Sequence, residues 1–131
     1  MSNKFYILVI FISLVLIPLG AKNTGSSVDL DSLYFSVFNH LDDDIDQSIL
    51  KGRVFIQEAL KADEKNNLAY AYDVYGLALY YQNSLDSSLY YTDKAINLFR
   101  SIGDKEGLST AIYNKSNTVE YMGRYNSAIT L

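Results

Sequence analysis

The stretch LAYAYDVYGLALYYQNSLDSSLYY, residues 68–91, carries the pattern on which the fold prediction rests. It contains no proline, and its apolar residues recur every three or four positions on both sides of a polar turn at Asn83-Ser84. This spacing is typical of two amphipathic helices joined by a short turn. Two tyrosine pairs flank the turn, Tyr80-Tyr81 and Tyr90-Tyr91. They raise the question whether these rings form a binding surface or the packing between two helices.

The same pattern continues through the rest of the chain after residue 28. No proline follows Pro18, and apolar residues keep the three-and-four spacing. We therefore predict an all-α domain over residues 29–131. The predicted helices cover residues 29–41, 45–62, 68–82, 85–102 and 108–122, separated by the polar stretches 63–67 and 103–107. Gly123 is predicted to open a turn into a sixth helix.

An internal repeat becomes visible when the chain is shifted by 40 residues. Leu68 then falls on Leu108, Ala71 on Ala111 and Tyr81 on Tyr121. The match continues into the following helix, with the pairs Asn83/Gly123, Leu85/Tyr125, Ser87/Ser127, Ser88/Ala128 and Leu89/Ile129. A single helix hairpin cannot bury its own apolar face, so repeated hairpins are expected to stack on one another.

This arrangement resembles the tetratricopeptide repeat family, in its variant with lengthened helices and a Gly-Asp loop between units. The positions that carry the resemblance are Tyr72, Tyr75, Gly76, Leu79, Ser88, Thr92 and Ala95 in one unit, and Ile112, Ser116, Val119, Gly123-Arg124-Tyr125 and Ala128 in the next. Lys115 departs from the pattern, which has a large apolar residue there. In the first unit only the second helix fits, through Gly52, Ile56 and Ala59.

The resemblance implies a fold in which antiparallel helix hairpins stack as a right-handed α-α superhelix, a TPR-like solenoid. Small residues such as Gly76, Ser88 and Ala95 would let the helices cross closely. About three repeats are needed for stability, and the chain offers two and a fraction. Because it stops at Leu131 inside a predicted helix, we expect the repeat domain to be truncated there and the natural protein to continue.

The first 21 residues, MSNKFYILVIFISLVLIPLGA, have the layout of a secretory signal peptide. Lys4 precedes an apolar run, Pro18 breaks that run, and Gly20-Ala21 offers a cleavage site. An uncleaved membrane anchor is the alternative, since Leu19 is bulkier than a signal peptidase prefers. Residues 22–28, KNTGSSV, are predicted to be a linker. The protein is therefore expected to be exported, either to the periplasm or held by a membrane anchor facing outside the cytoplasm.

Composition excludes several classes of protein. The chain has no cysteine, which excludes both a lipoprotein anchor and disulfide bonds. Its net charge is −4, and loss of residues 1–21 removes Lys4 and no acid, so the remaining chain is more negative still. Such a chain repels phosphate backbones, and no nucleic acid is expected to bind it. Membrane contact is expected only through an uncleaved N-terminal segment.

No pattern of catalytic or metal-binding residues is recognised. Asp42, Asp44 and Asp46 have the alternate spacing of a calcium loop, but Gln47 and Arg53 replace the required glycine and glutamate. These aspartates are better explained as caps of the following helix. His40, the only histidine, is explained by the carbonyls at a helix end. We predict no enzymatic activity for this segment, no cofactor and no metal; a kinase domain further along a longer chain stays open.

The resemblance implies a binding groove lined by the first helix of each hairpin. The matching positions are Tyr70, Asp73, Leu77, Tyr80 and Tyr81 in one unit and Tyr113, Asn114, Asn117, Glu120 and Tyr121 in the next. Tyrosine and asparagine suit binding because they offer contact area and hydrogen bonds at low entropic cost. The alternative is that these residues pack against neighbouring helices. The second tyrosine pair, Tyr90-Tyr91, is expected to serve packing.

Two functions of different class follow from this resemblance. The leading one is an exported scaffold that binds a peptide or partner protein in its groove, such as the sensory N-terminal part of a bacterial signalling protein. The alternative is a glycan-binding helical-repeat protein of the cell envelope. Asn114 falls where the family often has an asparagine that clamps a peptide backbone. The lysines of the subtype that binds acidic peptide ends are missing from the matching positions.

Overall fold

The computed structural model describes residues 29–129, which form five α-helices and, within that range, no strand. The predicted signal segment 1–21, the linker 22–28, and Thr130 and Leu131 lie outside the described residues. The prediction of an all-α protein is confirmed for this part of the chain. The helices are α1 Leu30–Phe38, α2 Ile45–Ala62, α3 Lys65–Tyr81, α4 Leu85–Ile102 and α5 Lys105–Ile129.

Short, sharply defined connections join the helices after α2. Asp63, with φ 55°, ends α2, and Gly103, with φ 77°, ends α4. This left-handed backbone stops a helix within one residue, and glycine adopts it without steric cost. Asp104 then accepts a hydrogen bond from the backbone N–H of Gly107 at 2.9 Å and so caps α5. Two residues join α2 to α3 and α4 to α5, three join α3 to α4, and consecutive helices fold back on each other.

These connections correct the predicted loops at 63–67 and 103–107. α3 begins at Lys65 and α5 at Lys105, each three residues before its predicted start. The polar residues after each turn were assigned to loops because they are not apolar, whereas on an exposed first turn of a helix polar side chains are well tolerated. α1 is also shorter than predicted and ends at Phe38, although Leu41 beyond it remains buried.

The predicted turn at Gly123 is wrong, because α5 runs through it without interruption to Ile129. Glu120 and Arg124 form an ion pair across this position, and the Ser127 hydroxyl donates to the carbonyl of Gly123 at 2.8 Å. Extending an existing helix adds one hydrogen bond per residue, whereas a new helix needs its own costly nucleus. The corresponding Asn83 does turn, with φ 64°.

α3 is the central helix of the fold and contributes to both apolar clusters of the core. The first cluster joins α1, α2 and α3, through Val37, Leu41, Ile49, Phe55, Ala71, Val74, Tyr75, Ala78 and Leu79. The second joins α3, α4 and α5, through Ala69, Ala95, Ile96, Phe99 and Ala111. None of the five helices combines the length and hydropathy needed to cross a membrane, within the part of the chain that the structure describes.

α3 and α4 cross closely at Gly76. A Cβ atom on Gly76 would lie 2.6 Å from the Thr92 hydroxyl oxygen and 3.3 Å from the carbonyl oxygen of Ser88. The Ser88 hydroxyl donates to the carbonyl of Gly76 at 2.7 Å. Only a residue without a side chain allows this approach. The small residues that the sequence places at this crossing therefore set the separation of the two helices.

Candidate functional site

The predicted groove residues lie on α3 and α5, which pack beside each other. Cα atoms of α1 and α3, and of α3 and α5, come within 8 Å of one another, whereas between the described helices α2 and α4 no pair of Cα atoms does. The first helices of successive hairpins are therefore neighbours. We call the surface that α1, α3 and α5 share the inner face. Its chemistry changes along its length, from the N-terminal ends of these helices to their C-terminal ends.

Tyr70 lies near the N-terminal ends and is held by its neighbours on both sides. Its hydroxyl donates to Asp104 at 3.0 Å, and its ring meets Phe99 edge-on at 4.8 Å between centroids. It also meets Tyr34 of α1 edge-on at 6.1 Å. Burial, and then the hydrogen bond to Asp104, raise the pKa of Tyr70 to about 12. Tyr70 therefore links its own helix α3 to α1, to α4 and to Asp104 at the start of α5.

Asp73 lies at the middle of the inner face and is 3% exposed. Asn114 of α5 donates its Nδ2 to both carboxylate oxygens, at 3.1 and 3.2 Å. Burial raises the pKa of Asp73 to about 6, although the hydrogen bond from Asn114 lowers it. The structure thus brings together two predicted groove residues, but the amide donor of Asn114 is occupied by Asp73.

Tyr80 and Tyr121 lie near the C-terminal end of α3 and meet edge-on at 5.8 Å between centroids. Together with side chains of α5 they border a cleft of about 110 Å³. The lining residues are Tyr80, Asn117, Glu120, Tyr121 and Arg124. Four of these five were predicted from the sequence. Arg124 was assigned to the predicted turn, and it reaches the cleft because α5 continues past Gly123.

The remaining predicted residues differ in how they meet solvent. Tyr113 is 66% exposed, and Tyr81, which packs edge-on against Tyr80 at 5.7 Å, is also largely exposed. Leu77 is half-buried and packs against the first core cluster. The ten predicted residues therefore divide into an interior group that packs between helices, a group around the cleft at Tyr80 and Tyr121, and the separately exposed Tyr113.

The second tyrosine pair lies away from the inner face. The Tyr91 ring meets Tyr75 of α3 edge-on at 4.7 Å and also contacts Tyr72. Tyr90 is exposed, and the Lys94 ammonium lies 4.9 Å from its ring centroid. The packing role predicted for this pair holds for Tyr91, while Tyr90 forms a cation–π contact at the surface.

A second cavity at the inner face was not predicted from the sequence. It has a volume of about 380 Å³, and we call it the aromatic cavity. Its lining residues are Asp31, Tyr34 and Phe35 of α1, Phe55 of α2, and Asn66, Asn67 and Tyr70 of α3. A shift of 36 residues, the spacing that relates Ala59 to Ala95, places Tyr34 on Tyr70 and could have identified α1 as a third groove helix.

The aspartates at 42–46 and His40 have local roles. Asp44 caps α2 by accepting from the backbone N–H of Gln47 at 3.1 Å. The His40 ring Nδ1 lies 2.8 Å from the carbonyl oxygen of Ser36 in the last turn of α1. Both contacts agree with the interpretation from the sequence. No group of three or more metal-binding side chains comes together among residues 29–129.

Comparison with known proteins leaves the fold and these sites to be interpreted on their own. No protein-family model, no curated protein and no solved structure matches this chain.

Proposed function

We propose that this chain is a tetratricopeptide-like scaffold that binds a peptide or partner protein along its inner face. The observation that carries the proposal is the packing of α1, α3 and α5 side by side while α2 and α4 stay apart. Such packing curves a row of hairpins toward the odd-numbered helices, as in a right-handed superhelix. The concave side of a helical-repeat array is the surface that these proteins use for binding.

The side chains on the inner face support the same function. Exposed tyrosines and amides border the cleft at Tyr80 and Tyr121, and these residue types are common at protein interfaces. They lie on helices, which hold a binding residue more precisely than loops do. The proposal that the protein is exported rests separately on residues 1–21.

Selection from a random peptide library tests this function, followed by measurement of the affinity of an enriched peptide by fluorescence anisotropy. The double variant Tyr80→Ala/Tyr121→Ala is expected to weaken binding by about tenfold, the size of effect that truncating interface aromatics has. Tyr90→Ala is the matched control, since Tyr90 is an exposed tyrosine on α4. If Tyr90→Ala weakened peptide binding and the double variant did not, the peptide would bind a surface other than the inner face.

Glycan binding is the second candidate, because the cleft of about 110 Å³ combines tyrosine rings with amide, carboxylate and guanidinium groups. Titration with a panel of oligosaccharides, followed by tyrosine fluorescence, distinguishes it from peptide binding. A saturable response that the double variant abolishes would favour the glycan function. If no oligosaccharide gave a response, glycan binding would be rejected and peptide binding would be the one proposed function that remains.

A further inference from the structure

The aromatic cavity differs from the rest of the inner face in its chemistry. Three of its lining rings come from α1 and α3, which pack together: Tyr34, Phe35 and Tyr70. The side chain of Phe35 is 60% exposed. Phe55 of α2 is almost fully buried. Aromatic faces of this kind attract a cation that is brought within about 6 Å of a ring centroid. The volume of about 380 Å³ is in the range of sites that hold small ligand groups.

One carboxylate lines the cavity, and two others accept hydrogen bonds from residues that line it. Asp31 of α1 lines it, and Asp104 accepts the hydrogen bond of Tyr70. Glu64 accepts a hydrogen bond from the Asn67 side chain at the start of α3. No lysine or arginine is among the lining residues. The three ion pairs formed within residues 29–129 involve Glu58, Asp93 and Glu120, so these carboxylates have no cationic partner among the described residues.

Burial is the main cause of the raised pKa of the two tyrosine hydroxyls, and neighbouring carboxylates add to it. Burial raises the pKa of Tyr34, and the carboxylate of Asp73 raises it further. The pKa of Tyr70 is raised by burial, by the hydrogen bond to Asp104 and by the charges of Asp104 and Glu106. A positive group entering the cavity would be attracted by each of these carboxylates. An acidic group would be repelled by them.

From this geometry we propose that the aromatic cavity receives a basic side chain, lysine or arginine, of the peptide that the inner face binds. The inference rests on the proposed function for the peptide, but the cavity itself can be tested without one. The methylene stem of the side chain lies against Phe35 and Phe55 while its charged end meets the tyrosine rings and Asp31. The side-chain oxygens of Asn66 and Asn67 are acceptors for its N–H groups.

Titration of the full chain with small probes, followed by NMR, tests the cavity directly. The probes are Nα-acetyl-arginine amide, Nα-acetyl-lysine amide, the uncharged Nα-acetyl-norleucine amide and the acidic Nα-acetyl-glutamate amide. We expect saturable shifts of the Asn66 and Asn67 side-chain amides with the two cationic probes. They should bind at least about fivefold more tightly than norleucine, a difference of about 1 kcal/mol.

Two variants with matched controls assign the effect to the cavity. Asp31→Asn is expected to weaken the cationic probes about threefold, which is the range of an exposed charge pair. Asp86→Asn, an exposed acid in the first turn of α4, removes the same charge elsewhere and should leave binding unchanged. Phe35→Ala should weaken binding about threefold through the lost ring. Tyr90→Ala is its control, since Tyr90 is an exposed aromatic residue on α4 and does not line the cavity.

Several outcomes would overturn the inference. These are equal binding of norleucine, tighter binding of the glutamate probe, and no saturable shift at about 50 mM cationic probe, beyond which binding is negligible. If the Lys22→Gln variant bound the cationic probes more tightly than the parent, Lys22 would be competing with the probes for the cavity. That result would overturn the proposal that the basic side chain belongs to a partner. If the library peptides bind the inner face but the cationic probes do not, the inference fails while the proposed function survives.

Discussion

α3 and α5 present corresponding stripes of side chains to different surroundings. On α3, Gly76 lies against α4, and Leu79 is 6% exposed in the first core cluster. On α5 the corresponding residues are Ser116, which is exposed, and Val119, which is 50% exposed. The sequence sets the position of each residue within the repeat, whereas its burial depends on which helices pack beside it. Substitutions at the matched positions should therefore have very different costs.

The largest difference is expected between Gly76→Leu and Ser116→Leu. A side chain at Gly76 would collide with backbone atoms of α4, which cannot move without separating the helices. We expect Gly76→Leu to lower the free energy of unfolding by about 3 kcal/mol, the upper range for overpacking. Ser116→Leu should change it by less than about 0.5 kcal/mol, as for an exposed site. Denaturant unfolding followed by circular dichroism measures both, and equal losses would contradict the comparison.

A somewhat smaller difference is expected between Leu79→Ala and Val119→Ala. Leu79 is buried in the first core cluster, and removing its side chain leaves a cavity among α1, α2 and α3. Such truncations cost about 2–5 kcal/mol, and we expect the lower part of this range because Leu79 is 6% exposed and not fully enclosed. Val119 is half exposed, and its loss should cost under about 1 kcal/mol. The same unfolding measurement applies. A cost at Val119 that matches Leu79 would show that the α5 stripe is covered in solution.

Asp73 extends the comparison to charge, since it is a buried acid where α3 meets α5. Its pKa in the folded protein is about 6 against an ordinary value of 3.8, so its favourable contribution is present below pH 4 and is lost as the pH rises through 6. From pH 4.5 to 7.5 the parent should lose about 2 kcal/mol more stability than Asp73→Asn. Unfolding curves at both pH values test this.

Glu120→Gln is the control for Asp73→Asn, because Glu120 is an exposed acid on α5 paired with Arg124. It should keep the pH dependence of the parent. If Glu120→Gln and Asp73→Asn changed the pH dependence equally, burial of Asp73 would not be the cause.

The smallest difference is expected between two serine hydroxyls. Ser88 donates to the carbonyl of Gly76 on α3 and lies 3.3 Å from the Thr118 hydroxyl of α5, so it links three helices. Ser116 donates only within α5, to Ile112 at 2.9 Å. Ser88→Ala should cost about 1 kcal/mol because it removes a buried hydrogen bond between α4 and α3, and Ser116→Ala about zero. Unfolding in urea measures this difference. A Ser88→Ala variant as stable as the parent would show that the Ser88 hydrogen bond contributes little to the α3–α4 crossing.

Sequence reasoning predicted α2 and α4 to the residue because each is strongly amphipathic. Both are also bounded by clear turn residues, such as the left-handed Asp63 and Gly103. It failed at Gly123, because glycine is compatible with a turn and with a helix, and the choice depends on the residues beyond it. It predicted α1 as a helix, but it did not predict that Tyr34 and Phe35 line the aromatic cavity. A nine-residue helix offers too few periods for a repeat to be recognised.

The candidate site shows the same division. The resemblance to the tetratricopeptide family predicted four of the five residues around the cleft at Tyr80, through the positions that match the groove positions of that family. It could not predict that Asn114 would bind Asp73 or that Tyr70 would bind Asp104, since these contacts join residues 41 and 34 positions apart. Such distances depend on how the helices pack.

By itself the sequence determined the helical class, most helix boundaries, the small residues at the crossing and the faces that carry tyrosine. These are local properties, decided by spacing within one or two turns and by the steric limits of single residues. Only the tertiary structure decided that α3 is covered while α5 is open, that Asp73 is buried with a raised pKa, and that α1 completes an aromatic cavity. Burial and electrostatics are set by distant neighbours, which a local pattern does not contain.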